Sequence, residues 1–61
     1  MDPLDEQLLA LAAYHSGIAA AYETYITQMN RLGDPQQDIA AKHEEADRHR
    51  DWAELITNLI K

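Results

Sequence analysis

Sixty-one residues with a formal charge of −6 and no cysteine leave room for one small domain. They remove disulfides, thiolate metal sites and cysteine nucleophiles from consideration. A chain this short hides only about 60% of the surface its unfolded form exposes, so it needs a near-ideal helix pair, a metal or a second subunit. The charge divides evenly, −3 in residues 1–32 and −3 in residues 33–61, and this acidity argues for basic partners and against nucleic acid as a default ligand.

The chain opens on Asp2-Pro3-Leu4-Asp5. An Asp at N-cap, a Pro at N1 and acids in the first turn predict a helix start. The same acids are wrong for the basic start of a secretory signal. Residues 7–22 carry no acid, Lys or Arg but are interrupted by His15, Ser16 and Gly17, and they fall short of the roughly 20 apolar residues of a membrane span. A cytoplasmic protein without membrane contact is expected.

From Leu4 to Leu32 apolar residues recur by alternating steps of four and three: Leu4, Leu8, Leu11, His15, Ile18, Tyr22, Tyr25, Met29 and Leu32. This is a coiled-coil-like heptad seam and predicts helix 1 over residues 3–32. With Leu8 at position a, His15, Tyr22 and Met29 share that row, while Leu4, Leu11, Ile18, Tyr25 and Leu32 form row d. Ala12, Ala19 and Ile26 at e widen the apolar arc. A helix greasy over so much of its circumference is normally covered on more than one side. Self-association is therefore expected, most simply as a homodimer, with Leu8, Leu11, His15, Ile18, Tyr22, Tyr25 and Met29 as its interface.

Gly33 follows Arg31-Leu32 and is suited to a left-handed helix end. Asp34-Pro35-Gln36-Gln37 then repeats the start signal, with Gln37 placed to reach back to the cap. A two-residue turn at 33–34 folds helix 2, residues 35–60, back along helix 1. Its seam reads Ile39, Lys42, Ala46, His49, Ala53, Ile56 and Ile60, widened by Trp52 and Leu59. Its middle is dense in charge and predicts a solvated outer helix with i,i+4 pairs Asp38–Lys42 and Glu44–Arg48. The expected fold class is all-α: an antiparallel helical hairpin, one domain over residues 1–61, self-associating into a four-helix bundle or a larger helical assembly.

Chemistry has few footholds. Ser16 and His15 are neighbours on a helix and point about 100° apart, so they form no nucleophile–base pair. Gly17 stands mid-helix without a phosphate-binding loop. No enzyme activity and no cofactor are expected. His15 and His49 fall within about one helical turn of each other across the hairpin, which predicts a polar layer that sets register. The sharper alternative is a metal or small-ligand site built from His15, His49 and Glu45, across subunits. A third reading treats the acids as a mimic of nucleic acid that blocks a basic partner. The principal expectation is a small protein–protein interaction module, a regulator, adaptor or inhibitor. It would self-associate through helix 1 and use Tyr14, Glu44, Arg48 and Trp52 to meet a partner.

Overall fold

The computed structural model describes residues 2–60; Met1 and Lys61 of the expected 1–61 domain lie outside the described residues. Two helices make up the fold, α1 (Pro3–Leu32) and α2 (Gln36–Ile60), packed side by side as an antiparallel hairpin 47 Å long. At the start of α1 the Asp2 carboxylate accepts from the Leu4 N–H at 2.9 Å, and the Asp2 carbonyl accepts the first helical bond from Glu6. This is the expected aspartate cap, worth about 1 kcal/mol.

The far end of α1 closes in a Schellman arrangement. The Gly33 N–H donates to Asn30 and the Asp34 N–H donates to Met29. Gly33 makes this possible by taking φ = 77°, a conformation that costs an L side chain about 1–2 kcal/mol. Helix α2 begins at Gln36, one residue later than expected. The carbonyl of Pro35 is the first acceptor there, taking bonds from Asp38 and Ile39, and the proline itself has no N–H to offer.

The core is thin. Among the described residues, Ile26, Met29 and Ile39 form its one cluster of large residues, near the turn. Elsewhere the buried positions are Ala12, Ala19, Ala46 and Ala53, with His15 among them. In α1 the helix–helix contact therefore runs along rows a and e. Row d lies to one side of it: Leu4 is 60% exposed, Leu11 44%, Tyr25 53% and Leu32 75%. The heptad seam is divided. One of its rows faces α2 and the other is left open, because small residues at e let the backbones approach more closely than row d would.

Helix α2 turns inward the residues its sequence indicates. Ile39, Ala46 and Ala53 are buried, and Lys42, His49, Ile56 and Ile60 are half-buried. Trp52 and Leu59, expected to widen this seam, are instead exposed at 49% and 70%. The ion pairs also differ from expectation. Lys42 meets Glu45 at 3.8 Å and Arg50 meets Asp47 at 2.9 Å, both at i,i+3. Lys42 is drawn this way because its ammonium also lies over the rings of Tyr22 and Tyr25, 5.8 and 5.9 Å from their centroids. Arg50 also crosses to Glu23 of α1 at 3.0 Å, a half-exposed link of the kind worth at most about 1 kcal/mol.

Candidate functional site

The densest side-chain chemistry lies midway along the hairpin. His15 from α1 and His49 from α2 meet with their Nδ1 atoms 2.8 Å apart and their rings 26° from parallel. At that distance one ring must donate its Nδ1–H and the other must accept with a bare nitrogen. Helix register brings them level: both occupy inward rows, and the short turn fixes the pairing of the two helices. The layer expected from the sequence is present, and each histidine satisfies the other.

Aromatic rings enclose the pair. Trp52 stands edge-on to both imidazoles, 4.9 Å from His15 and 5.9 Å from His49 between centroids. Tyr14 meets His15 edge-on at 5.5 Å, and Tyr22 stacks on His49 at 6.0 Å. Tyr14 and Trp52 nevertheless remain largely exposed. They mark one flank of the hairpin, the flank on which row d also emerges.

Glu45 does not join the histidines. Its carboxylate accepts from the Tyr22 hydroxyl, which holds it below the usual carboxylate range, helped by the positive charges of Lys42 and Arg48. The same contact raises the Tyr22 phenol above its ordinary value, through the hydrogen bond first and burial second. Within one chain, then, the expected set His15, His49 and Glu45 is not assembled: the two imidazoles face each other and the carboxylate faces the tyrosine. Among the described residues no group of three His, Cys, Asp or Glu side chains is placed to hold a metal ion.

Beside this layer, on the same flank, lies a groove of about 360 Å³ lined by Ile18, Ala21, Tyr22, Tyr25 and Lys42. Its walls are apolar apart from the Lys42 ammonium and the tyrosine hydroxyls. The seven residues expected at an interface thus separate into two groups. His15 and Met29 are buried against α2, with Leu8 and Tyr22 half-buried, whereas Leu11 and Tyr25 stand exposed on the open flank and Ile18, itself half-buried, lines the groove there. The four candidate partner residues separate likewise. Tyr14 and Trp52 belong to the flank, and Glu44 and Arg48 are exposed elsewhere on α2. Leu4, Ala21, Leu32 and Lys42 were not singled out as site residues by the sequence, yet they belong to the open row or the groove. The signal for three of them was the heptad itself, since Leu4 and Leu32 continue row d and Ala21 is its neighbour at g.

No protein-family model, curated protein or solved structure matches the chain.

Proposed function

We propose that this protein is a non-enzymatic interaction module that works as a homo-oligomer, with a homodimer the simplest form. One observation carries the reading: row d of α1, from Leu4 to Leu32, lies on the hairpin's flank, with Leu4, Leu11, Tyr25 and Leu32 exposed and Ile18 half-buried between them. Single exposed leucines are ordinary, but a contiguous apolar face marks an interaction surface. The surface budget agrees. A compact monomer of 6.9 kDa exposes about 4,000 Å² by the usual mass scaling, and this chain exposes 4481 Å². With that flank covered, Glu44 and Arg48 remain outside and available to a macromolecular partner. In this role the protein acts as a small regulator, adaptor or inhibitor.

Sedimentation equilibrium at micromolar concentration tests the reading. A mass of two chains or more, with helical circular dichroism, is the expected result. A folded monomer at the same concentration overturns it.

A further inference from the structure

Resting on the self-association just proposed, we infer that the occupant of the open flank is a second copy of this chain, with α1 laid antiparallel on α1 of the partner and the two-fold axis passing close to Ile18. The turns of the two hairpins then lie at opposite ends of the assembly.

Three features select this arrangement. The first is the absence of charge along one strip of α1. Row d holds Leu4, Leu11, Ile18, Tyr25 and Leu32, and the adjoining row g holds Gln7, Tyr14, Ala21 and Gln28. The two rows alternate by three and four residues, so together they form a second heptad seam, distinct from the a and e rows spent on α2. Not one Asp, Glu, Lys or Arg interrupts it over the whole helix.

The second feature is the symmetry of row d. Ile18 is its midpoint, with Leu11 and Tyr25 seven residues to either side and Leu4 and Leu32 fourteen. Reversing the strip therefore returns the same spacing. An isologous interface requires this self-complementarity: Ile18 meets its own copy, Leu11 meets the partner's Tyr25, and Leu4 meets the partner's Leu32.

The third feature sets α1 apart from α2 on this flank. The α2 part of the flank carries the Lys42–Glu45 ion pair at 3.8 Å, and Lys42 edges the groove beside Tyr25. Laying α1 of a copy across α2 would drive that pair against apolar side chains, with a desolvation cost. Laying α1 on α1 leaves Lys42 and Glu45 at the rim, in water. Both helices together span a face of 47 by 14 Å, so the contact footprint is at most about 650 Å², at the lower end of the roughly 800 Å² per partner of a standard stable interface.

Because the chain holds no cysteine, single cysteines report the arrangement without background. Three variants, Ile18→Cys, Leu11→Cys and Tyr25→Cys, are purified reduced. Each is then oxidised with copper phenanthroline, alone and in mixtures. The expected pattern is efficient dimer cross-linking by Ile18→Cys alone and by the mixture of Leu11→Cys with Tyr25→Cys. Leu11→Cys alone and Tyr25→Cys alone should give several-fold less, since like residues then sit about 21 Å apart along the helix at 1.5 Å per residue. Efficient self-linking of Leu11→Cys or of Tyr25→Cys overturns the antiparallel pairing while leaving a dimer in place. An oligomer by sedimentation with no cross-link from any variant or mixture places the interface on another face, and overturns the inference alone. A monomer overturns both the inference and the self-association beneath it. As a second readout, Ile18→Glu puts a charge at the axis opposite its own copy. It should shift the dimer dissociation constant at least tenfold while helicity at high concentration is retained. An unchanged constant overturns the placement of the axis.

Discussion

The two ends of the hairpin are built from the same pair of helices but packed in opposite ways. Near the turn, Ile26, Met29 and Ile39 are all at least 94% hidden and form a cluster. Toward the open end the buried positions are Ala12 and Ala53, while Leu4, Leu11, Trp52, Leu55 and Leu59 lie exposed. The difference shows what a tight turn does and does not provide. The Gly33 turn holds the chain ends of the helices together, so large residues on the inward rows beside it are pinned in contact, while Leu32 on row d stays 75% exposed. Further out, alanines on both helices let the backbones lie close, which leaves larger side chains on the flanks, where only another chain can cover them.

Substitution should break this comparison most visibly at the turn end. Ile39→Ala removes most of a buried aliphatic side chain from its cluster with Ile26 and Met29, and it should cost about 2–4 kcal/mol. Leu55→Ala, at 58% exposure, should stay within about 0.5 kcal/mol. Urea denaturation followed by circular dichroism measures both. Equal losses would show that the open end is covered as firmly as the turn end.

Between the two ends lies the histidine layer. The Nδ1–Nδ1 contact of 2.8 Å joins one ring to the other, and Trp52 stands edge-on to both. His15→Ala removes a buried ring and leaves His49 without that partner, so it should cost about 1–3 kcal/mol. His49→Ala breaks the same bond and should cost a similar amount, and the double variant should cost less than the two single losses added together. Urea denaturation of the three variants makes the check; strictly additive losses would show that the two rings act independently.

Much of this was legible in the sequence, and the part that was not has a physical cause. Asp2-Pro3 and the Gly33 turn act within a few residues through caps and a positive φ, so local sequence determines them. The level pairing of His15 with His49 followed from the turn length alone. Which arc of α1 faces α2 did not. Rows d and e both satisfy helical periodicity, and the pattern alone placed rows a and d together in one seam, with Leu11 and Tyr25 assigned to self-association beside His15 and Met29. The outcome is decided by shape: Ala12 and Ala19 facing Ala46 and Ala53 allow an approach that no one-helix pattern reveals. Glu45, named with His15 and His49 for a site across subunits, is paired within its own chain with the Tyr22 hydroxyl from the other helix, a capture that the pattern of one helix does not reveal.

That capture yields the smallest expected effect, and one that tests how the flank near the turn is ordered. The Glu45 carboxyl is held below its ordinary value of 4.5 chiefly by the Tyr22 hydroxyl. Tyr22→Phe keeps the ring that stacks on His49 and removes only the donor. The Glu45 midpoint, followed by carboxyl carbon chemical shifts, should then rise toward its ordinary value. Lys42 and Arg48 continue to hold it slightly low. Because the folded-state value is depressed, this contact helps the fold above the ordinary carboxylate range and its contribution disappears as pH falls through the folded value. The site is open to solvent, so the change in overall stability should be too small to resolve by melting, and titration is the informative measurement. A Glu45 midpoint that does not move in Tyr22→Phe would mean the lysine and arginine charges hold the carboxylate instead. The flank beside the turn would then be organised by charge and not by the tyrosine row.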